Sequence, residues 1–380
     1  MSDIAPTKAY PLTLPEELIF DIFLKSDPKT LVACRATNHY WRDKLNAIPF
    51  LQETHSKWKA RGQFIYLHFT LGPFNQRPDW IMKMDATTGE AMQLALPVTI
   101  NPGGWFRIIG TANGNVCMRF SSTGKAPQIL IWNPAANTLR SIRDPTQHFC
   151  TMCTFTYAFL YYPGSSKYAI VHIFKRNLGD QDSWLTMFCA ESSDWQYVIP
   201  CPKYVKNLDQ NCVTSDGVAF WLSWSMHDST YPSYIVSFSI ANKSFFTIPI
   251  PHHIVSHDHR LLIYQDSLCM VSNRDTRDGY EINMFRILKN GIHYAWEKIF
   301  TFTGIGSLEN PVLIHEEELI LLKKTHRERN ALMRRPETSQ FMFLRFDPLS
   351  QHKKILNAPF YLGHVQLIST HVYSQGCFPV

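Results

Sequence analysis

The sequence has few charged residues and no long apolar run. Charged residues make up only 18% of its 380 residues, against 45% apolar, so the composition excludes general disorder and favours a large β-type core. No segment approaches the ~20 consecutive apolar residues of a transmembrane helix. Residues 1–11 lack a charged start followed by an apolar stretch and do not predict a secretory signal. The formal charge of +6 is dispersed, so neither nucleic-acid nor membrane binding is expected.

Motifs for catalysis are also missing. The chain has no glycine-rich phosphate loop, no nucleophile elbow and no His-Glu-x-x-His. We therefore expect a non-catalytic protein without a cofactor, although a fold alone does not exclude enzymatic activity. The nine cysteines are odd in number and lie mainly inside apolar runs, which is typical of reduced, buried thiols in a cytoplasmic or nuclear protein.

Two clusters contain residue types that bind metals. Cys150 and Cys153 stand beside His148, but a structural zinc site needs a second pair at similar spacing, and none is present. Residues 251–259 contain four histidines and one aspartate, a density that can hold a transition metal. Because nothing in the sequence fixes which imidazoles converge, we predict no metal at either place.

Two further features have ordinary structural interpretations. The densest basic run, residues 323–335, lies between two predicted strands and is interpreted as a solvated loop, with an acidic partner or a nuclear-import signal as alternatives. Trp195, Trp221 and Trp224 could line a ligand surface, but aromatic residues at regular positions are more often part of the core.

Residues 13–58 predict three or four short helices. N-terminal signals occur in this order: Thr13 with Glu16 as a capping box and Pro15 in the first turn, Asp27 with Pro28, and Asn38. Apolar residues at helical spacing are Leu18, Ile19, Ile22 and Phe23, then Leu31 and Cys34, then Trp41, Leu45 and Ile48, with Phe50, Leu51 and Trp58 in a last helix. So small a unit barely buries enough surface to be stable alone, so part of this apolar stripe is expected to face a partner.

These residues resemble the F-box. The matching segments are Leu14-Pro15-x-Glu17-Leu18, Ile22, Asp27-Pro28-Lys29-Thr30-Leu31 with Arg35, and Tyr40-Trp41-Arg42. The resemblance implies a helical module that docks onto a Skp-type adaptor and, through it, onto a cullin-RING ubiquitin ligase. On this interpretation the residues at or directly beneath the adaptor interface are Leu14, Pro15, Leu18, Ile19, Ile22, Phe23, Leu31, Cys34, Arg35, Trp41 and Leu45.

From residue 64 onward the pattern changes to short β-rich runs separated by turn residues. A unit of strand, turn and second strand recurs about every 50 residues, with strand ends at Met84, Ile131, Phe188, Ser237, Phe285 and Arg345. Six all-β units at this period predict a kelch-like propeller of six blades. The C-terminal run 365–373 is expected to pair with the first strands near Phe64 and close the ring.

Short motifs in this region resemble the F-box-associated domain of plant F-box proteins. They are Gly114-Asn-Val-Cys-Met118, Ile131-Trp132-Asn133-Pro134, Phe155-x-Tyr157, Lys167-Tyr168, Ser193-Asp194-Trp195, residues 216–222 with 248–251, and residues 266–270 with Trp296-x-Lys298. Their order and spacing extend the resemblance over most of residues 64–375. The resemblance implies a β-propeller that recruits a substrate.

The sequence thus predicts two domains, an all-α F-box at residues 10–60 and an all-β kelch-like propeller at 61–380. The predicted function is substrate recognition in an SCF-type (Skp–cullin–F-box) ubiquitin ligase, with an unidentified protein target. One alternative is a propeller with its own ligand or enzymatic role, in which the helices are a packing cap. Another is an adaptor-bound F-box protein that never reaches a cullin. An F-box leaves part of its apolar stripe exposed, whereas a cap buries nearly all of it.

Overall fold

Three short helices precede a region built from β-strands. A computed structural model of the chain describes residues 14–26, 28–37, 39–47, 64–71, 80–85, 87–97, 104–122, 124–146, 153–163, 165, 167–176, 183–203, 205, 207–224, 232–254, 258–276, 279–290, 293–305, 309–315, 318–326, 339–347, 350, 352–356, 360–362 and 365–373. The helices are α1 Glu16–Lys25, α2 Pro28–Thr37 and α3 His39–Asn46.

The start of α1 corrects one prediction. Pro15, expected in the first turn, is the N-cap residue instead, and it makes no side-chain cap hydrogen bond. With a ψ of 144° Pro15 is extended, and its carbonyl accepts hydrogen bonds from the backbone N–H of Leu18 and Ile19. Thr13, the first residue of the predicted capping box, lies outside the described residues. Pro28 does open α2 as predicted, while the caps Asp27 and Asn38 and the predicted last helix lie outside the described residues.

The strands of the first half are short and regularly spaced. They are β1 Phe64–Leu71, β2 Trp80–Asp85, β3 Ala91–Gln93, β4 Gly104–Ala112, β5 Asn115–Ser122, β6 Gln128–Asn133, β7 Thr138–Arg143, β8 Cys153–Tyr161, β9 Tyr168–Arg176, β10 Ser183–Cys189, β11 Asp194–Pro200, β12 Val213–Ser215, β13 Val218–Trp224, β14 Pro232–Ser239 and β15 Ser244–Pro249.

The second half continues the pattern after one turn of 3-10 helix, His252–Ile254. Its strands are β16 Asp258–Tyr264, β17 Ser267–Thr276, β18 Gly279–Asn290, β19 His293–Ile305, β20 Glu309–His315, β21 Glu318–His326, β22 Ser339–Phe346, β23 Lys353–Ile355, β24 Phe360–Leu362 and β25 Val365–Tyr373.

The described strands pair into antiparallel sheets, which we number 1 to 6. Sheet 1 has the order β25-β1-β2-β3, and sheets 2 to 5 are β4 to β7, β8 to β11, β12 to β15 and β16 to β19, each in chain order. Sheet 6 is β20-β21-β22-β23, with β24 also paired to β22. Each of the six predicted strand ends lies in the third strand of a different sheet, so the repeat found in the sequence is the hairpin of third and fourth strands.

The C-terminal strand pairs with the first strand of the chain, as predicted. Phe64 stands opposite Tyr373, and the pairing continues to Leu71 opposite Val365. Sheet 1 is therefore assembled from both ends of the β region, and the last strand is fixed by hydrogen bonds to residues about 300 positions earlier.

Tight turns join the first two strands of several sheets. Asn113 and Gly114 have φ angles of 49° and 80°, and Asp216 and Gly217 have 47° and 72°. Two successive positive φ angles are typical of the type I′ hairpin turn, which matches the right-handed twist of the strands. Gly217 is also needed for space, because a Cβ at this position would lie 2.9 Å from Cδ of Pro163.

Apolar clusters form between consecutive sheets. Shared clusters join sheets 1 and 2 around Tyr66 and Phe106, 2 and 3 around Cys117 and Phe159, 3 and 4 around Leu160 and Trp221, 4 and 5 around Ile235 and Met270, and 5 and 6 around Phe302 and Phe346. Between sheets 6 and 1, Arg345 Nη2 donates to the carbonyl of Thr87 at 3.2 Å. Consecutive sheets from 1 to 6 thus pack on each other through apolar side chains, and one hydrogen bond links sheet 6 to the turn after β2 of sheet 1.

Sheets 2 and 3 also enclose a charged pair. Arg119 Nε lies 2.6 Å from Asp144 Oδ2, and both side chains are almost fully buried. Tyr157, on β8 of sheet 3, donates its hydroxyl to the same carboxylate at 3.0 Å. The guanidinium also lies over the ring of Phe155, 4.6 Å from its centroid. The charge of Arg119 is therefore compensated by a buried partner rather than by water.

We predict that Asp144→Asn lowers the free energy of unfolding by about 3–5 kcal/mol, because it leaves a buried guanidinium without its counter-charge. The matched control is Glu191→Gln, which breaks the exposed ion pair with Lys167 and is expected to cost less than about 1 kcal/mol. Urea unfolding of the full chain, followed by tryptophan fluorescence, measures both. Equal stability of the two variants would contradict the prediction.

Candidate adaptor-binding surface

The first helix carries large apolar side chains that are open to solvent. Leu14 is 55% exposed, Leu18 50% and Ile22 51%. Leu18 and Ile22 are four positions apart and lie on one face of α1, and Leu14 precedes the helix by two residues. We call these three residues the exposed stripe. Isolated exposed leucines are ordinary, but a contiguous apolar row is typical of an interaction site.

A small apolar core holds the three helices together beneath the exposed stripe. Phe23 and Leu24 of α1, Leu31 of α2 and Leu45 of α3 are buried, with Ile19, Phe20, Cys34 and Trp41 packed against them. The rings of Phe23 and Trp41 meet edge to face, with centroids 5.2 Å apart. Each helix thus contributes one face to this core, and α1 has a second apolar face that its own unit does not cover.

Arg35 links the second and third helices. Its Nη2 donates to the backbone carbonyl of Leu45 at 3.1 Å. Leu45 is near the C-terminus of α3, where carbonyls lack partners within the helix and favour a positive charge. Arg35 therefore supports the helical unit from inside, and nothing in this contact requires an adaptor.

The structure divides the predicted adaptor-binding residues into groups by depth. The exposed ones are Leu14, Pro15, Leu18 and Ile22; the half-buried ones are Ile19, Cys34, Arg35 and Trp41; the buried ones are Phe23, Leu31 and Leu45. The first group offers the most surface to a partner, and the half-buried group offers part of its surface. The buried group lies beneath them, and the role of all of these residues in adaptor binding stays a prediction.

One exposed residue was missing from the predicted set. Tyr40, on α3, is 50% exposed, and its ring meets that of Trp41 edge to face at 4.9 Å. The sequence placed Tyr40 in the motif with Trp41. Adjacent residues point in different directions on a helix, however, so spacing alone selected the inward-facing member of the pair.

The structure describes only part of the other candidate sites predicted from the sequence. Within the described part of the chain no group of three or more potential metal ligands converges. His252 and His253 lie in the 3-10 turn and His259 in β16, while His257, His148 and Cys150 fall outside the described residues. The basic run begins at the end of β21, and its remainder from 327 lies outside as well.

The tryptophan at the centre of sheet 4 is a core residue, as predicted. Trp221 is fully buried and donates its Nε1–H to Thr156 Oγ1 of β8 at 3.1 Å. Trp195 and Trp224 are half-buried and pack at the edges of apolar clusters. Cys34, Cys117, Cys189, Cys201, Cys212 and Cys269 are free thiols, in agreement with the reduced state expected from the sequence.

These features define a class of protein, a small helical unit with one uncovered apolar face followed by a repeated β-sheet region. Comparison with protein families agrees with both parts. Residues 12–47 match the F-box-like family, and residues 118–353 match the F-box associated beta propeller domain. The chain belongs to this family of F-box proteins with an F-box-associated domain.

Known relatives are distant. The chain is 22% identical over 325 residues to an F-box/kelch-repeat protein of Arabidopsis thaliana, covering 77% of this chain and 72% of that one. Among solved structures it resembles TolB from Acinetobacter baumannii, with 10% identity, a TM-score of 0.46 and coverage of 85% and 71% of the two chains. It also resembles YjhT, with 11% identity, a TM-score of 0.38 and coverage of 77% and 97%.

Among the described residues no helix is long and apolar enough to cross a membrane. The longest helices, α1 and α2, have 10 residues each, about half of what a bilayer span needs.

We predict that Leu31→Ala and Leu18→Ala have very different effects on the helical unit. Leu31 is fully buried, so its truncation is expected to cost about 2–5 kcal/mol, whereas loss of the exposed Leu18 changes stability by less than about 0.5 kcal/mol. Hydrogen exchange of the backbone amides of α2 and α3 in the full chain measures the local opening free energy. Comparable losses of protection in both variants would show that Leu18 is part of the core.

Proposed function

We propose that this chain is the substrate-recognition subunit of an SCF-type E3 ubiquitin ligase. Its helices, residues 10–60, would bind a Skp-type adaptor, and residues 61–380 would recruit a protein target. The observation that carries the proposal is the exposed stripe of Leu14, Leu18 and Ile22 above a separate apolar core. A helical cap on a following domain would bury these side chains, whereas a docking module keeps them available.

Apolar anchors of this kind account for most of the binding energy at protein interfaces. Three aliphatic side chains, each about half exposed, supply surface that an apolar groove on the adaptor can remove from water. Tyr40 is a fourth candidate, because an exposed aromatic ring gives large contact area with few rotatable bonds. The core around Phe23 and Leu31 holds this surface in shape before the adaptor arrives.

The six sheets are, on this proposal, the blades of a closed propeller. Three findings support it: the pairing of β25 with β1, the apolar clusters between consecutive sheets, and the hydrogen bond from Arg345 of sheet 6 to Thr87 beside sheet 1. In such a ring every sheet has two neighbours, so no apolar face and no long edge remains uncovered.

The two ends of the sheets differ in their connections. At one end lie the tight turns 113–114, 216–217 and 265–266. At the other end the strands are farther apart in the sequence, as between Pro200 and Val213, between Trp224 and Pro232, and between His326 and Ser339. Binding residues concentrate on loops held by a rigid scaffold, so the end with the longer connections is the proposed recognition surface. We refer to it as the loop end.

The chain itself would perform no covalent chemistry. By holding a target near the ubiquitin-conjugating enzyme that the cullin arm recruits, it raises the effective concentration of target lysines. Binding to the adaptor and binding to the target are then two separate tasks, and the chain would act within the cytoplasm or nucleus, where these partners occur.

We predict that Leu14→Ala combined with Pro15→Ala abolishes adaptor binding while the β-sheet region stays folded, because both residues are exposed and lie outside the helical core. Co-purification with a Skp-type adaptor measures the first effect, and circular dichroism the second. A chain without residues 1–60 should also fail to bind. The matched control is Leu288→Ala, which removes an exposed leucine of β18 and should bind normally. Full adaptor recovery by the double variant would refute the proposal that this helical unit binds a Skp-type adaptor through these residues.

A further inference from the structure

A polar cluster joins sheets 2 and 4 at the loop end. Arg107, on β4, donates from Nη1 to the side-chain oxygen of Gln210 and from Nη2 to the side-chain oxygen of Asn211 at 3.2 Å. Gln210 and Asn211 belong to the connection 201–212 that leads into β12. Arg107 is half-buried, and both amides are exposed. We call these three residues the donor cluster.

The guanidinium fixes the orientation of both amides. An arginine has only N–H donors, so each amide must turn its oxygen towards Arg107 and its NH₂ group away from it. Among the described residues neither amide nitrogen has a hydrogen-bond partner. The donor cluster therefore presents N–H groups to the solvent, and its acceptor oxygens are already used.

The segment that carries the two amides is held firmly. Leu208 forms a β-bridge with Ser223, and the N–H of Asp209 donates to the carbonyl of Leu222 at 2.8 Å. The carboxylate of Asp209 accepts the backbone N–H of Asn211 at 3.0 Å, which closes a local turn. On the other side Thr156 donates its hydroxyl to the carbonyl of Gln210 at 3.4 Å. The binding of a ligand here would thus cost little conformational entropy in this backbone segment.

The charge around the donor cluster is not balanced. Arg107 stands directly opposite Arg119 in the β4–β5 pairing, an unfavourable arrangement for like charges. Arg119 is compensated by Asp144, whereas the hydrogen bonds of Arg107 go to neutral amides. The positive charges of Arg107 and Arg260 both act to lower the pKa of Asp209.

Burial acts on the ionised forms of both Asp209 and Arg107. Burial raises the pKa of Asp209, and the N–H of Asn211 and the charge of Arg107 oppose that shift. Burial also lowers the pKa of Arg107, although a guanidinium stays protonated at neutral pH. An anion placed against Arg107 would compensate the partly buried positive charge of its guanidinium. It would also offset the repulsion between Arg107 and Arg119.

We propose that Arg107, Gln210 and Asn211 form a docking point for an anionic side chain, either a carboxylate or a phosphoryl group, in an acidic segment of the recruited protein. The proposal deepens the proposed function, since it assigns a substrate class to the loop end. Charge-assisted hydrogen bonds from a guanidinium and two amides match the oxygen atoms of either group. A basic or purely apolar segment would leave these donors without partners.

The test is a selection of peptides on the purified full chain, with or without bound adaptor, so that a failure of adaptor binding leaves the result readable. The probe is a displayed library of random peptides of about twelve residues. We expect enriched sequences that share Asp or Glu at one position. Arg107→Gln should weaken their binding by about tenfold or more, as should Gln210→Ala combined with Asn211→Ala to a smaller extent.

The matched control is Lys289→Gln, which removes one exposed positive charge near the C-terminal end of β18, opposite to the loop end, and should bind as the original chain does. Synthetic versions of an enriched peptide, with the shared acidic residue replaced by glutamine or by phosphoserine, separate a carboxylate site from a phosphoryl site. Thermal unfolding verifies that each variant is folded. If Arg107→Gln does not fold, the combined variant Gln210→Ala and Asn211→Ala still tests the proposal.

Three results would overturn the proposal. The selection could enrich no peptide, it could enrich peptides without a shared acidic residue, or acidic peptides could bind Arg107→Gln and Lys289→Gln equally well. In the last case the attraction would come from the net positive charge of the chain, and it would also disappear at high salt without any dependence on Arg107.

Discussion

The architecture depends on the fact that a sheet with two apolar faces cannot exist alone in water. On β5, Val116 and Met118 pack with sheet 1, while Cys117, between them in sequence, packs with sheet 3. Alternate residues of one strand point to opposite faces, so both faces of sheet 2 are buried. Apolar clusters meet the same requirement between each further pair of consecutive sheets from 3 to 6. At the two ends of the β region, β25 pairs with β1 and Arg345 donates to the carbonyl of Thr87, and the closed ring that we propose would cover the remaining faces of sheets 1 and 6.

This constraint restricts where polar chemistry can occur. Between the sheets a charge is tolerated only when it is fully paired, as Arg119 is with Asp144. Unpaired donors are less costly where water reaches them, although Trp132 Nε1 on β6 is buried without a hydrogen-bond partner. Arg107 stands at this border, since its strand partner is the buried Arg119 and its hydrogen-bond partners are exposed amides. A local conflict of charges that packing does not resolve is a feature expected of functional sites.

The parts of the fold that were predictable from the sequence are those with a local pattern. Helical spacing located α1 to α3, and the recurring hairpin located one strand in each sheet, because both periods are visible within about a dozen residues. The predicted position of Pro15 within the first turn was wrong, because proline is compatible with positions on both sides of a helix start and only its backbone angle decides between them. The degree of burial of the helical side chains was not predictable from the sequence either. Leu18 and Leu31 have the same side chain in similar helical patterns, yet one is exposed and the other buried.

The donor cluster illustrates what a sequence pattern cannot supply. Arg107 and Gln210 are 103 positions apart, and neither belongs to a motif. Only the tertiary packing of sheets 2 to 4 brings them together, and only the hydrogen-bond geometry shows that the amide N–H groups face outward. Composition does not reveal the donor cluster either, because the basic residues of the chain are dispersed and Arg107 does not lie in a run of charged residues.

The exposed stripe and the donor cluster have opposite chemistry, and this difference bears on how one chain can hold two partners. An apolar groove suited to Leu14 and Leu18 would leave the N–H groups of Gln210 and Asn211 without acceptors if it bound there instead. An acidic segment suited to Arg107 would gain no counter-charge from the aliphatic row and would lose hydration against it. An apolar groove is thus disfavoured at the donor cluster, and an acidic segment is disfavoured at the exposed stripe. Specificity then comes from the cost of the wrong contacts as well as from the favourable correct ones. Two partners selected in this way do not compete for one surface, so a subunit that must bind adaptor and target simultaneously can be built from a single chain.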